Sequence, residues 1–581
     1  ARGAPGAWGR RPAGARSAGL EALSREPDPA GSPAGSQDYE ARLTADRPAM
    51  CTLGQPCVLD QDMAFLQELE QPLVGPNSGA FTKQTHVVAT LGPSSREVPQ
   101  IRELLRAGMS VARMNFSHGS HEYHGETVAN LREACRLEGV YCAVMLDTKG
   151  PEVRTGKLKG GGPVTYEYQS RVTVTADYEA EGDEKTVALS YANVARDVQP
   201  GNKILMADGT LILEVLSCNE AAGTVECTCL NTAIIGERKN CNLPGVVVDL
   251  PVLTEKDKED LRFGVGLGVD FIAASFVRKG SDIAIIREAL GPEGRYIKVI
   301  SKVENLEAME NIDDIVRESD AVMVARGDLG MEVPLEKMFH VQKVIIQKCN
   351  IAGKPVVTAT QMLESMCNNP RPTRAEATDV ANAVLDGTDC VMLSGETAAG
   401  KFPREAVEIM GSICQEAERC VDNYQTALRL TDVGLAQNSD LGVLEALASS
   451  AVTTSYKMNS PVIVVLAATG VTARLIAKYR PSVPVIVGVV PRGEPRDKIG
   501  FKEKGADAEQ MARQCLLTKG LIPVVVQPKD LKEEPSAAAK ACVLEAIEEA
   551  KRLGFCTAGD NIVTLYNVES QCAVIRCLEC P

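Results

Sequence analysis

The strongest constraint on the fold is a pattern of short apolar segments that recurs eight times between residues 86 and 394. Most of these segments are followed by a stretch with apolar residues at helical spacing that ends in glycine. Apolar strands that alternate with helices predict a parallel sheet covered on both faces, and eight repeats predict a (β/α)₈ barrel, the TIM-barrel architecture of the α/β class. The predicted strands are 86–90, 110–115, 142–147, 270–275, 297–304, 321–325, 355–360 and 390–394.

The alternation is interrupted once and is followed by a second series. Between the third and fourth strands, polar and apolar residues alternate between Gly and Asp turns, which predicts an inserted all-β domain above the barrel mouth, where a lid would lie. Five later apolar strands predict a C-terminal open α/β domain. The predicted boundaries are 1–80 for an N-terminal extension, largely disordered up to about 50, 81–150 and 251–434 for the barrel, 151–250 for the lid, 426–440 for a linker and 435–581 for the C-terminal domain.

Composition excludes some functions. The 62 Lys and Arg against 77 Asp and Glu give a net charge of −15, which argues against binding nucleic acid but not against small anionic substrates. No apolar run approaches the roughly 18 residues of a membrane span. The 19 cysteines are scattered through apolar segments and are predicted to be reduced, which favours the cytoplasm. The first twenty residues hold four arginines and no acid, so an organelle transit peptide is the alternative.

Charged residues collect where the predicted barrel strands end, which is where barrel enzymes place their chemistry. Lys302 and Glu304 are two residues apart on one strand, so both side chains project to the same side. Glu304 and Asp328 are hard oxygen ligands on neighbouring strands, and such a pair suits Mg²⁺. Lys302 and Arg113 offer positive charge to a phosphoryl group and a carboxylate. This combination predicts phosphoryl transfer, in which catalysis is largely charge neutralisation and positioning.

Two other motifs are weaker. Residues 395–401 resemble a phosphate-binding P-loop, but Phe402 stands where a Ser or Thr is required. Arg326, Gly327 and Asp328 follow a buried strand, and the simplest interpretation of that tripeptide is a tight turn.

Seven long strings in the sequence resemble the pyruvate kinase family, in the family's own order. They are residues 112–124, 146–156, 300–312, 323–334, 359–366, 371–387 and 392–397. The resemblance implies a barrel with a β-rich lid and a C-terminal α/β domain, in agreement with the strand pattern. It also implies transfer of the phosphoryl group of phosphoenolpyruvate to ADP, which gives pyruvate and ATP, with Mg²⁺ (or Mn²⁺) and K⁺ as cofactors and a homotetramer as the assembly.

The resemblance assigns roles residue by residue. Lys302 matches the lysine that stabilises the transferring phosphoryl group, and Arg113 matches the phosphate-binding arginine. Thr360 matches the threonine implicated in protonating the enolate, through water. Glu304 and Asp328 match the divalent-metal ligands. The wider sets are Ser275, Ala325 and Gly327, with Asp328, for the substrate; Asn115, His118, Arg154 and Lys239 for the nucleotide; and Asn115, Ser117, Asp147 and Thr148 for K⁺.

Two further positions concern regulation. Glu152 matches the position that accompanies K⁺ dependence in the family, and its negative charge calls for a balancing cation. The loop at 467–474 keeps Thr469, Gly470 and Thr472 of a phosphate-binding effector loop but opens with two alanines. The later loop at 565–573 has no glycine. A sugar-bisphosphate effector is therefore not expected, and a different phosphorylated effector, or none, is.

Two alternatives remain open from the residues alone. One is a binding protein that keeps the fold without catalysis, against which the intact catalytic positions argue. The other is a different barrel enzyme acting on phosphoenolpyruvate or enolpyruvate, such as a mutase or an aldolase. Lys239 in the lid and the set of monovalent-cation positions favour a nucleotide-using kinase.

Overall fold

All eight predicted barrel strands are present and close into a parallel barrel. The structure is a computed structural model that describes residues 83–437, 441–491, 507–527, 535–569 and 572–581. The predicted N-terminal extension at 1–80 lies outside the described residues.

The chain builds three barrel strands before it leaves the barrel. Val87, Val88 and Ala89 are fully buried in the first of them, as expected for a strand covered on both faces. Gly108 ends the first helix with a φ of 108°, a left-handed conformation that favours glycine. These elements are β1 (His86–Thr90), α1 (Val98–Ala107), β2 (Met109–Asn115), α2 (His121–Glu138) and β3 (Ala143–Asp147).

An inserted β-rich domain follows β3, where the sequence predicts it. Its elements are β4 (Val153–Arg154), β5 (Val164–Tyr166), β6 (Arg171–Thr175), β7 (Thr186–Ala188), α3 (Val194–Asp197), β8 (Lys203–Met206), β9 (Leu211–Asn219), β10 (Thr224–Cys229), β11 (Ala233–Ile235) and β12 (Asn240–Asn242). Seven strands form one sheet in the order β4-β12-β8-β9-β10-β6-β7, and β11 pairs with β5. Buried and half-buried residues alternate along β10, so one face of this sheet covers the core of the lid.

The chain then returns to the barrel and completes it. The returning strands are β13 (Phe271–Ala274), β14 (Lys298–Val303), β15 (Ala321–Ala325), β16 (Val356–Ala359) and β17 (Cys390–Leu393). The helices are α4 (Glu255–Leu267), α5 (Gly280–Leu290), α6 (Leu306–Glu310), α7 (Ile312–Glu318), α8 (Arg326–Glu332), α9 (Met338–Ala352), α10 (Arg374–Asp386), α11 (Gly395–Ala398) and α12 (Pro403–Arg419). Residues 326–328 begin α8, so the predicted tight turn is wrong and the tripeptide is the first turn of a helix.

The barrel closes in the order β1-β17-β16-β15-β14-β13-β3-β2. Its interior is filled by apolar side chains that include Met145, Ile300 and Met323. Leu516 and Leu517 of the C-terminal domain belong to the same cluster and therefore close the barrel at its base, opposite the mouth.

The C-terminal domain is a five-stranded sheet with helices. Its elements are α13 (Asn423–Gln437), α14 (Val443–Met458), β18 (Ile463–Ala467), α15 (Val471–Lys478), β19 (Val485–Val489), α16 (Ala508–Cys515), β20 (Leu521–Val525), α17 (Pro535–Arg552), β21 (Asn561–Glu569) and β22 (Cys572–Glu579). The strand order is β20-β19-β18-β21-β22, with β22 antiparallel to the rest.

The boundary between barrel and C-terminal domain differs from the prediction. The predicted linker at 426–440 is helical up to Gln437, and residues 438–440 lie outside the described residues. Ala427 and Leu430 pack in the core of the C-terminal domain. The change of domain therefore lies nearer to residue 420, between α12 and α13, because a helix with an apolar face packs on a core rather than bridging two.

Candidate active site

Lys302 is the centre of a buried charge cluster at the barrel mouth. Its Nζ donates to Ser275 Oγ at 2.7 Å and to Asp147 Oδ1 at 3.1 Å, and lies 2.9 Å from Glu304 Oε1. Burial opposes the charged form of this amine, but the carboxylates of Asp147 and Glu304 outweigh burial and raise the pKa of Lys302 above its usual value. Lys302 is therefore a permanent ammonium with its three N–H bonds directed at fixed oxygens.

Two carboxylates on this side of the cluster, Glu304 and Asp328, carry negative charge that their surroundings compensate only in part. Burial raises the pKa of Glu304 to about 7, against the attraction of Lys302 and with a further rise from Asp328. Burial likewise raises the pKa of Asp328, again with Lys302 opposing. Glu304 Oε2 accepts the backbone N–H of Phe276 at 2.6 Å, which fixes its orientation. A buried and a half-buried carboxylate that repel each other favour a bound cation.

Asp147 and Arg113 form the other side of the cluster. Arg113 Nε donates to Asp147 Oδ2 at 2.6 Å, and an Arg113 amine donates to Thr90 Oγ1 at 3.0 Å. Burial alone would raise the pKa of Asp147, but Arg113 and Lys302 outweigh it and lower that pKa. Asp147 thus stays ionised and holds both cations in place at the ends of β2, β3 and β14.

The loop after β3 packs tightly against Ser275. Ser275 Oγ donates to the carbonyl of Thr148 at 2.7 Å, and its backbone N–H donates to Thr148 Oγ1 at 3.1 Å. Gly150 has a φ of +71°, and a Cβ there would lie 2.7 Å from the Ser275 Cβ. Only glycine permits this approach, which positions Ser275 to accept from Lys302.

Thr360 lies at the end of β16 in a left-handed conformation with a φ of 69°, which is rare for a β-branched residue. Its Oγ1 accepts the backbone N–H of Gly327 at 2.8 Å, and its carbonyl accepts from Arg326 at 2.7 Å. Arg326 is in turn ion-paired with Asp379 at 2.7 Å. The predicted loop of Ala325, Gly327 and Asp328 is thereby tied to Thr360.

The lid contributes two predicted residues at the rim. An Arg154 nitrogen lies 2.5 Å from a Glu152 oxygen, and Arg154 also donates to the carbonyl of Arg238 at 2.9 Å. The Glu152 charge is therefore already paired inside the chain. The carbonyl of Lys239 accepts the backbone N–H of Thr155 at 2.8 Å, and the N–H of Lys239 donates to Thr155 Oγ1 at 2.8 Å. Lys239 is exposed.

The remaining predicted ligands lie at the end of β2. Asn115 Oδ1 accepts the backbone N–H of Ser117 at 3.1 Å, and Asn115 stands opposite Asp147 in the strand register. His118 follows and is exposed. Asn115 and Asp147, two of the four residues predicted to bind K⁺, thus lie side by side at the ends of β2 and β3, and Ser117 and Thr148 follow them closely in the chain.

The predicted effector loop lies far from this cluster. Gly470 has a φ of +79° and precedes α15. Thr469 and Gly470 face a cavity between the C-terminal domain and the barrel base, whereas Thr472 is not among the residues lining it.

Sequence reasoning missed two groups of the site. Arg326 was set aside with its tripeptide, although it anchors the carbonyls of both Thr360 and Gln361. The backbone N–H of Phe276, whose φ is 55°, carries no sequence signal because any residue has an amide. An arginine that directly follows a buried strand was the one available signal.

Two further features of the molecule bear on function: side-chain groups that could hold a metal ion and helices that could span a membrane. Among the residues that the structure describes, no group of three or more His, Cys, Asp or Glu side chains is arranged to hold a metal ion. A divalent ion at Glu304 and Asp328 would complete its shell with substrate and water oxygens, as Mg²⁺ commonly does. Within the same described ranges, no helix has the length and apolarity to cross a bilayer.

The barrel mouth holds a buried lysine, a buried arginine and two buried carboxylates beside the half-buried Asp328, which defines a barrel enzyme built to neutralise phosphoryl charge. Comparison with known proteins identifies the family. The family models "Pyruvate kinase, barrel domain" and "Pyruvate kinase, alpha/beta domain" match residues 82–407 and 445–573. The chain therefore belongs to the pyruvate kinase family, the glycolytic phosphotransferases that act on phosphoenolpyruvate and ADP.

Individual relatives agree. A cytosolic isozyme of pyruvate kinase from Solanum tuberosum is 53% identical over 507 residues, covering 87% of this chain and 97% of its own. A pyruvate kinase from Eimeria tenella is 46% identical and covers 84% of this chain and 87% of its own. The crystal structure of a pyruvate kinase from Cryptosporidium parvum has a TM-score of 0.78 at 41% identity, covering 86% of this chain and 96% of its own.

Proposed function

We propose that the charge cluster at the barrel mouth transfers the phosphoryl group of phosphoenolpyruvate to ADP, which gives pyruvate and ATP. The observation that carries the proposal is Lys302, a buried ammonium whose three contacts are Asp147, Ser275 and Glu304. Two polyanions must come within bonding distance in this reaction, so the dominant requirement is fixed positive charge in a site that excludes water. The cluster meets that requirement.

Each basic residue has a distinct task in this proposal. Lys302 stabilises the phosphoryl group during its transfer, because its ammonium is held in place before the substrate binds and need not reorganise. Arg113 binds the phosphate from the opposite side, oriented by Asp147 and Thr90. Ser275 positions Lys302 rather than reacting.

The loop of Ala325, Gly327 and Asp328 binds the substrate carboxylate in this proposal. Its geometry is fixed by the Thr360 hydroxyl, which accepts the N–H of Gly327 at 2.8 Å. Thr360 then directs a proton, through water, to the enolate carbon after the phosphoryl group has left. Arg326 is a positioning residue in this scheme because it acts through Thr360.

The cofactors proposed are Mg²⁺ or Mn²⁺ and K⁺. Glu304 and Asp328 would hold the divalent ion, which supplies charge neutralisation at the phosphoryl oxygens when bound. The raised pKa values of both carboxylates support this assignment, since they report negative charge that lacks enough compensation. K⁺ is assigned to the oxygens of Asn115, Ser117, Asp147 and Thr148 at the ends of β2 and β3.

The nucleotide is proposed to bind between the mouth and the lid, against Asn115, His118, Arg154 and Lys239. Arg154 is tied to Glu152 by an ion pair in the structure. Binding ADP would therefore exchange one anionic partner of Arg154 for another. The lid turn around Gly209 lies against α8, with 3.3 Å between a Cβ position at Gly209 and Met331 Sδ, so the lid also borders the substrate loop.

A homotetramer in the cytoplasm is proposed for the assembled enzyme. Leu335, just before α9, is 77% exposed in the single chain, and Phe339, in the first turn of α9, is 64% exposed. Large apolar side chains at such exposure fit a subunit interface. Relatives named cytosolic isozymes support the compartment. Analytical ultracentrifugation tests the assembly, and a monomer at micromolar concentration would contradict it.

The decisive experiment measures pyruvate formation from phosphoenolpyruvate and ADP with Mg²⁺, first with K⁺ and then with a large inert cation in its place. Activity in K⁺ alone supports both the reaction and the K⁺ site. Activity in both media keeps the reaction and refutes the K⁺ requirement. No activity in either, from a folded protein, overturns the proposed function.

A further inference from the structure

The turn between β2 and α2, residues 116–119, carries two of the residues proposed to bind ligands, Ser117 and His118, and belongs to no helix or strand. The backbone N–H groups of both residues bond to Asn115, one to its side chain at 3.1 Å and one to its carbonyl at 3.2 Å. A backbone segment outside helices and strands needs further partners for its carbonyls. The position of Ser117 and His118 therefore depends on the groups that hold those carbonyls.

Two carbonyls of the turn are held by side chains from outside it. Lys256 Nζ donates to the carbonyl of Phe116 at 3.1 Å. His124 Nε2 lies 2.7 Å from the carbonyl of His118, and because a carbonyl only accepts, this nitrogen carries the proton. The two anchored carbonyls belong to the residues before and after Ser117. Lys256 and His124 together thus position Ser117.

The His124 side of the turn is also fixed by packing. His124 is buried, and its ring stacks on that of Phe116 with 4.2 Å between the centroids. Burial lowers the pKa of His124 below its usual value, so the ring is neutral at neutral pH. Gly119 has a φ of +79°, and a Cβ there would lie 3.0 Å from a ring carbon of Tyr123. This side of the turn does not depend on a charged group.

The Lys256 side of the turn depends on one buried carboxylate. The Lys256 side chain is 49% exposed, and such a side chain ordinarily samples several rotamers. Asp260, one helical turn further along α4, is fully buried and accepts from Lys256 Nζ at 2.5 Å. The attraction of this carboxylate keeps the ammonium beside the turn. Asp260 therefore positions Lys256, and Lys256 positions the carbonyl of Phe116.

Asp260 also joins α4 to the start of α2. Its second oxygen accepts from His121 Nε2 at 2.7 Å. The His121 ring stacks on Phe263 of α4, with 4.3 Å between the centroids. Lys256, Asp260 and Phe263 are spaced by four and three residues, which places them on one face of the helix. This face of α4 holds both ends of the connection between β2 and α2.

The first turn of α4 holds the neighbouring loop as well. Asp257 is fully buried, and its Oδ1 accepts the backbone N–H of Gly150 at 3.1 Å. Its other oxygen accepts the backbone N–H of Thr254 and caps the helix. Thr148, a residue proposed to bind K⁺, lies two positions before Gly150. One helix therefore supports the loops after β2 and after β3.

We infer that Lys256 and Asp260 are positioning residues for the nucleotide and for K⁺. Lys256 holds the turn that carries Ser117 and His118, and Asp260 holds Lys256. The inference rests on the proposed function, because it concerns how that site is assembled. Its sign separates it from a direct charge effect. The ammonium of Lys256 alone would repel K⁺, so loss of its charge would favour K⁺ binding, whereas a loosened turn disfavours it.

Lys256→Met tests the inference in the full-length protein, with pyruvate formation measured against K⁺, ADP and phosphoenolpyruvate in turn. We expect the K⁺ concentration for half-maximal activity and the KM for ADP to rise by about tenfold, the lower end of the loss seen when a group that holds a metal ligand is removed. The KM for phosphoenolpyruvate, whose proposed ligands lie outside this turn, should change little. Lys256→Arg keeps the charge and the donors and should stay closer to the parent.

Two further variants complete the comparison. Lys258→Met is the matched control, because Lys258 lies on the same helix but donates to Glu255. It should leave all three constants unchanged. Asp260→Asn keeps the shape of the side chain but weakens the attraction for Lys256, and it should raise the K⁺ and ADP constants. From an active parent, an unchanged or lower K⁺ requirement in Lys256→Met overturns the inference and leaves the proposed reaction standing.

Hydrogen exchange of the ligand-free protein tests the turn without relying on activity. The backbone amides of residues 116–120 should exchange about tenfold faster in Lys256→Met than in the parent, with the amides of β14 unchanged. Equal exchange in the turn, or faster exchange throughout the barrel, overturns the inference. If the parent forms no pyruvate, the proposed function fails and this measurement decides the inference alone. If the parent needs no K⁺, exchange and the KM for ADP decide it together.

Discussion

Both ends of the barrel bury charged side chains, but they pair them differently. At the mouth, the buried Glu304 and the half-buried Asp328 have raised pKa values, and Lys302 is shared among several acceptors. At the base, Arg480 donates to both oxygens of Asp389 at 2.8 and 3.2 Å. The mouth leaves charge for a ligand to balance, whereas the charge of Asp389 at the base is balanced within the chain.

The base uses its charges to join the domains. Asp389 also accepts the backbone N–H groups of Val356 at 3.0 Å and Lys519 at 3.1 Å. Glu418 accepts the backbone N–H groups of Gln84 at 2.9 Å and Thr85 at 2.5 Å. A buried carboxylate with this many donors is satisfied, so it contributes to a fixed geometry rather than to binding. The difference between the two ends shows that the functional end is marked by charged groups whose charge is incompletely compensated, and not by burial of charge alone.

The largest effect is expected from Lys302→Met. Without the ammonium, the phosphoryl charge has lost its nearest stabiliser, and kcat should fall by about 10³-fold or more. The fold should persist, because Asp147 keeps Arg113 and Glu304 can take up a proton. Steady-state kinetics and circular dichroism measure both. Lys457→Met, at an exposed position on α14, is the control. A kcat within tenfold of that of the parent would contradict the role assigned to Lys302 at the mouth.

Arg480→Met should show the reverse behaviour at the base. It leaves Asp389 buried without its cation, which costs about 3–5 kcal/mol of stability. The kcat of the folded enzyme should stay close to that of the parent. Denaturant midpoints measure the loss, and Arg136→Met, in an exposed pair with Glu133, should leave the midpoint nearly unchanged. A loss of kcat without a loss of stability would show that the base takes part in the chemistry.

The strand pattern predicted the barrel well, because a strand that is buried on both faces consists of consecutive apolar residues, which can be recognised in the sequence. The charged residues at the strand ends predicted the cluster, because the carboxyl ends of all barrel strands meet at one face. Pairings across long separations could not be predicted: Arg480 and Asp389 lie 91 residues apart, and no local pattern joins them. Backbone conformation was equally invisible at Thr360, whose φ of 69° contradicts the preference of a β-branched residue.

Asp270 sharpens the comparison because it is one base residue that is not fully compensated. Burial raises its pKa to about 6, against the attraction of Arg513. Its folded pKa lies above the ordinary value, so its contribution to stability is present below about pH 4 and is lost as the pH rises through 6. The loss amounts to roughly 3 kcal/mol. The stability of Asp270→Asn relative to the parent should therefore rise by that amount between pH 4 and 7.

Asp320→Asn is the contrasting variant for this experiment. The pKa of Asp320 is lowered by Lys298 and Arg287 despite burial, so its contribution is lost as the pH falls. The stability of Asp320→Asn relative to the parent should then decline as the pH rises from 3 to 5. Thermal midpoints across a pH series measure both variants, and parallel curves for the two would refute the assigned directions.

The smallest stability change is expected from Thr360→Gly at the mouth. Glycine removes the cost of a left-handed conformation, about 1–2 kcal/mol, but loses the hydroxyl that accepts from Gly327 and adds chain entropy, each about 1 kcal/mol. Stability should stay within about 1 kcal/mol of the parent while kcat falls. Thr360→Ser, which keeps the hydroxyl, should retain most of the activity. If Thr360→Gly instead lost several kcal/mol of stability with its activity unchanged, the role of Thr360 would be structural, like that of the fully hydrogen-bonded residues at the base.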